Sequence, residues 1–164
     1  MLHKVEWTAA MVLAALAGAA AQTACTYSPR SEAPAGALAP DFGLFFLDEG
    51  SSAKLAYGQA NSDNVGLMLQ CAKGSRTVEV SDMVRTVPAP TLALASEGKR
   101  TEVKVEAKEG LAVGRAPASA PALAGFRRSG RMEVSYAGLR YAVAARPAEK
   151  ASVERFFNAC EGRA

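Results

Sequence analysis

The 164-residue chain reads as a mainly β protein: a single antiparallel β-sandwich or barrel-like domain over residues 41–164, with a short helix near 122–128 and a C-terminal helix near 148–160. Three observations predict this. Strand-like runs bounded by turn residues recur roughly every ten residues from Asp41 onward, the spacing of sandwiches and barrels. Thr101-Glu-Val-Lys-Val-Glu-Ala107 alternates charged and apolar side chains, as a strand does when one face is solvated. Near the end, Val153, Phe156, Phe157 and Cys160 fall at i, i+3, i+4 and i+7, one face of a helix.

Taken in order, Phe42 to Leu47 and Ala53 to Tyr57 flank Asp48-Glu-Gly-Ser-Ser52, which predicts a hairpin. Val65 to Cys71 and Arg76 to Val80 flank Ala72-Lys-Gly-Ser75, which predicts a second. Leu92 and Leu94 precede the turn Ser96-Glu-Gly-Lys99, and Leu111 to Val113 is expected to continue the ladder begun at Thr101. Pro121 and Gly130 bracket the short helix, because proline suits a first turn and glycine the position past the last. Met132, Val134 and Tyr136 alternate, Ala137-Gly138 turns, and Leu139, Tyr141 and Val143 alternate again. The final helix begins near Pro147, with Glu149 in its first turn.

Ahead of this domain stand two segments of other character. Residues 1–24 carry Lys4 and then 13 uncharged, mostly apolar residues from Ala9 to Ala21. That is the length of an export signal and too short to span a bilayer. Ala19 and Ala21 place small side chains before Gln22, as signal cleavage requires. Residues 25–40 are broken by prolines and read as a flexible leader or tether. Cys25 follows the apolar run closely and is a candidate lipidation site that would anchor the protein to a membrane.

Composition then removes whole classes of chemistry. The only histidine is His3, inside the export segment, so a mature chain lacks the usual proton shuttle and commonest metal ligand. Ser–His–Asp and Cys–His catalysis and histidine-based zinc sites are excluded with it. No cofactor or metal site is expected. No nucleic-acid partner is expected, since the three arginines Arg127, Arg128 and Arg131 do not make such a surface without a wider basic stripe. The interior is sparse: Val, Leu, Met and Phe make up 31 of the 140 residues from Cys25 onward, and isoleucine is absent. In an oxidising compartment Cys71 and Cys160 are natural disulfide partners, the alternative being two buried reduced thiols.

Four patterns invite a functional reading. Ser96-Glu-Gly-Lys99 matches a Ser-x-x-Lys motif, but its glycine and flanking strands indicate a reverse turn. Asp41, Asp48 and Glu49 supply carboxylates for a cell-wall hydrolase, although exposed loop acids lack the raised pKa of a general acid. Arg127, Arg128 and Arg131 gather near a helix end and are candidates for contact with an anion or an acidic partner. Phe42-Gly-Leu-Phe-Phe-Leu47 is apolar on both faces, so Phe42, Phe45 and Phe46 form a candidate partner-binding strand unless a helix covers one face and the core the other.

The arrangement of Cys71, Leu123, Phe126, Gly130, Val134, Tyr141, Val143, Phe156 and Cys160 resembles that of small exported bacterial proteins of the invasion-associated locus B type. It is also similar to accessory periplasmic proteins of type VI secretion. The resemblance spans roughly residues 65–160 and implies a β-rich fold and a disulfide, with no catalytic residue carried over. Together these readings predict a non-catalytic periplasmic, extracellular or envelope-tethered protein that binds another envelope protein. The alternative is a carboxylate-dependent hydrolase acting on cell-wall glycan or peptide.

Overall fold

Alternation and turn chemistry shape most of the described chain into strands. The computed structural model describes residues 41–83 and 89–163; residues 1–24, read above as an export signal, the expected leader 25–40 and Cys25 lie outside the described residues. The strands are β1 Phe42–Glu49, β2 Ser52–Gln59, β3 Val65–Ala72, β4 Thr77–Met83, β5 Thr91–Ser96, β6 Lys99–Lys108, β7 Leu111–Pro117, β8 Arg131–Tyr136 and β9 Leu139–Ala144. Helix α1, Pro121–Ser129, joins β7 to β8, and a 3-10 turn, Pro147–Glu149, leads into α2, Lys150–Glu161. All strand pairings are antiparallel, in the order β1-β2-β3-β4-β7-β6-β5-β8-β9. The result is one nearly closed, barrel-like sheet, as the sequence predicts.

The inward side chains follow the period of two. Leu44, Leu55, Leu69 and Val80 face one way across β1 to β4, and Val103, Leu92 and Leu94 do so across β6 and β5. Both helices complete this interior. Helix α1 contributes Leu123 and Phe126, and α2 contributes Val153, Phe156 and Phe157, all in a single core cluster. The three phenylalanines meet edge to face, Phe126 against Phe157 and Phe156 against Phe157.

Several turns explain why the strands stop where they do. Glu97-Gly98, Glu109-Gly110 and Ala137-Gly138 each hold two successive residues at positive φ, the type I′ geometry that matches hairpin twist. Leu111 to Val113 continues the ladder begun at Thr101, as expected, and does so as a separate strand, β7, that pairs back on Glu106 to Lys108 because Glu109-Gly110 reverses the chain. Ser96-Glu-Gly-Lys99 is the reverse turn expected of it, and the Ser96 hydroxyl donates to the Arg131 carbonyl at 2.6 Å.

Strand β6 turns the corner of the sheet. Its residues Lys99–Lys104 pair with β5, and Val105–Lys108 pair with β7. Gly114 of β7 sits at the hand-over, where a Cβ would lie 2.3 Å from the Lys104 carbonyl oxygen. A glycine there is a steric necessity.

The C-terminal helix is fastened at its far end. Cys71 of β3 and Cys160 of α2 form a disulfide, as anticipated. Around it, the Gly74 and Arg76 amides donate to the carbonyls of Ala159 and Cys160, both at 2.9 Å. The connection between β3 and β4 thus satisfies carbonyls that a helix end leaves free. Gly162, at φ 71°, adds a second donor to the Ala159 carbonyl, and the Arg163 amide closes that of Asn158.

Candidate functional site

Strand β1 begins the sheet, and among the described residues no strand pairs with its outer edge. Its apolar run divides by parity. Phe42 and Leu44 turn inward, Phe42 meeting Tyr57 edge to face at 5.2 Å. Phe46 is half-buried on the same side, with the Arg155 guanidinium of α2 4.5 Å from its ring centroid. Phe45 and Leu47 point the other way and are 39% and 42% exposed. Of the three predicted phenylalanines, then, Phe45 alone is free to meet a partner, and Leu47 joins it.

Cross-strand register extends this surface. Phe45 faces Ala56, Ala56 faces Met68, Met68 faces Ser81, and Ser81 faces Val113. One outward row therefore crosses β1, β2, β3, β4 and β7 with a single hydroxyl in it. Leu47 heads the adjoining row through Lys54, Gln70, Glu79 and Arg115, which is polar. On the opposite flank Met83 and Leu111 face each other, both exposed. An apolar band with a polar margin is the anatomy of a protein-binding face. Met68, Met83, Leu111 and Val113 were not singled out from the sequence, because their membership depends on which strands become neighbours.

Charges at both ends of β1 are already matched. The Arg146 guanidinium donates to the Phe42 carbonyl at 2.7 Å and to Glu149 at 3.1 Å. Gly43 leaves room for this clasp, since a Cβ there would lie 2.8 Å from Glu149 Oε1. At the other end Lys73 bonds Asp48 at 2.7 Å and Lys54 pairs with Glu49 at 2.9 Å. The hydrogen bond from Lys73 holds the Asp48 carboxyl below its ordinary value, opposite to what a general acid needs. Asp41 is exposed just before β1.

The arginine cluster does not converge. Arg127 reaches across to α2, bonding Glu154, Glu161 and Asn158 while lying over the Phe157 ring. Arg128 forks onto Glu97 in the β5–β6 turn. Arg131 is exposed on β8, and among the described residues it forms no ion pair. Only Arg131 keeps its charge available.

One buried acid went unnoticed in the sequence. Asp82 is 3% exposed on the inner face of β4, and its Oδ2 accepts a hydrogen bond from the Tyr141 hydroxyl at 3.0 Å. The bond ties end strand β9 to β4 through the interior. Among the described residues, no group of three or more His, Cys, Asp or Glu is placed to hold a metal ion. None of their helices is long and apolar enough to cross a membrane. Comparison with known proteins finds no matching family model, no matching curated protein and no matching solved structure.

Proposed function

We propose that this chain is an exported, non-catalytic accessory domain of the bacterial cell envelope that binds another envelope protein through β1 and the apolar band beside it. One observation carries the reading. The sheet ends on a strand whose outward side chains, Phe45 and Leu47, stand exposed, with Phe45 in line with Ala56, Met68, Ser81 and Val113 and Leu47 beside it at the head of the polar row. Folding does not require them to be apolar, because the core is completed on the other face by α1 and α2. An edge strand of this kind accepts an extended segment by main-chain pairing, and flanking apolar side chains add affinity.

Export is supported by residues 1–24 and by a disulfide that an oxidising compartment would preserve. The resemblance to invasion-associated locus B proteins and to type VI secretion accessory proteins belongs to the same proposal, as does a tether through Cys25. The hydrolase alternative is the weaker one, since Asp48 and Glu49 are exposed and each is paired with a lysine.

Site-specific photo-crosslinking from position 47 in the intact periplasm tests the proposal. A specific envelope protein is expected to be captured, and its capture is expected to be lost when Phe45→Ser is added with thermal unfolding unchanged. Capture of nothing specific, or equal capture by the Phe45→Ser form, would refute the assignment of β1.

A further inference from the structure

Arg76 occupies the left-handed backbone region at φ 59°, which long side chains rarely adopt. Two backbone bonds hold it there. Its amide donates to the Cys160 carbonyl, and its own carbonyl accepts from the Ala118 amide, both at 2.9 Å. Three segments are pinned together by this residue: the end of α2, the β3–β4 connection and the β7–α1 connection. Between them lies a cleft of about 470 Å³ lined by Arg76, Ala118, Ser119, Glu161 and Arg163. The nearby Cys71–Cys160 disulfide adds a covalent restraint, so the cleft is pre-organised.

Charge decides what would fit. Glu161 accepts from Arg127 at 2.8 Å and is also paired with Arg163. Arg76, by contrast, forms no ion pair among the described residues, and its side chain is exposed to the cleft. Arg76 and Arg163 against Glu161 leave one positive charge in excess. Guanidinium groups recognise planar oxyanions through paired N–H donors, and the Ser119 hydroxyl offers another donor. A doubly charged phosphate would place surplus negative charge beside Glu161, whereas a carboxylate balances the site.

We infer that this cleft binds a single carboxylate group of a peptide, either a chain's C-terminal carboxylate or an acidic side chain. It is separate from β1 and does not depend on what β1 binds.

The test uses the intact, disulfide-bonded protein and follows the amide and guanidinium nitrogen resonances of Arg76, Ser119 and Arg163. Three probes are titrated: acetyl-trialanine with a free carboxylate, acetyl-Ala-Glu-Ala-amide, and the neutral acetyl-Ala-Gln-Ala-amide. Saturable shifts confined to the cleft are expected with one or both acidic probes below about 20 mM, and none with the neutral one. A response to the first probe alone identifies a C-terminal carboxylate, and a response to the second alone an acidic side chain. Arg76→Gly removes the guanidinium while easing the backbone, so it should weaken binding about tenfold or more without loss of fold. Equal shifts with the neutral probe, no saturable shift with either acid, or unchanged binding by Arg76→Gly would each overturn the inference.

Discussion

Arg127, Arg128 and Arg131 sit within five residues, yet their side chains reach different parts of the molecule. Arg127 is drawn to α2 because Glu154, Asn158 and Glu161 line the helix face that packs beside it. Its pull is reciprocal. The hydrogen bond from Arg127 lowers the carboxyl pKa of Glu154, with the charge of Arg127 adding to it. A carboxylate whose folded pKa is depressed stabilises the fold fully above its unfolded pKa of about 4.3 and loses that contribution as pH falls through the lower folded value. Glu154 is half exposed, so solvent screening keeps the effect below about 1 kcal/mol. Glu154→Gln should therefore be slightly less stable than the parent at pH 7, and the gap should close as pH falls below 4. Urea unfolding at a series of pH values checks this; a gap that stays constant into acid would mean that charge is not its origin. Asp48, lowered by its hydrogen bond from Lys73, works in the same direction from an exposed position.

Among the elements, the corner at β6 is the one with least tolerance. Gly114→Ala would set a methyl against the Lys104 carbonyl and within 2.6 Å of a Val103 methyl, and a backbone oxygen cannot swing aside. We expect a loss of about 2 kcal/mol or more, read as a lower denaturation midpoint, and a loss under about 0.5 kcal/mol would show that the corner can relax. This element also marks where sequence reading stops. The alternation of Thr101 to Ala107 and of Met132 to Val143 showed the strands, and the i, i+3, i+4, i+7 spacing showed α2 within about two residues. Pro121 and Gly130 bracketed α1 in the same way. None of these local signals says that β6 pairs with two partners, since a strand's own pattern does not name its neighbours. Glu109-Gly110 repeats the Glu-Gly pair of the Ser96–Lys99 turn and likewise holds both residues at positive φ. The candidate site shows the same division. Phe42 to Leu47 was visible as an apolar run, but its apolar residues occupy both parities, so the period of two could not say which faced out. Burial of Leu44 in the core, together with register, made that choice and left Phe45 and Leu47 outside.

For the molecule as a whole, the question is how so few large apolar residues hold a sheet of this size. Two helices, α1 packed on β5, β6 and β8 and α2 packed on β1, β2 and β3, bring Phe126, Phe156 and Phe157 into one core cluster, which uses a small inventory efficiently. The remaining help is covalent. Cys71 and Cys160 are separated by 89 residues, and closing a loop of that length restricts the unfolded chain by about 4–5 kcal/mol in the entropy model. Against a typical total of about 5–15 kcal/mol, such a term is decisive. The folded joint, however, has its own bonds: Gly74 to Ala159 and Arg76 to Cys160 need no sulfur. These two facts predict different readouts. A Cys71→Ser, Cys160→Ser double variant should keep the native near-ultraviolet spectrum in the absence of denaturant. Its free energy of unfolding should fall by about 3–4 kcal/mol, somewhat short of the model value because the unfolded chain is already compact. A fall of under about 1 kcal/mol would place the stability of the joint in its backbone bonds and aromatic packing, and the disulfide would no longer support the proposed export.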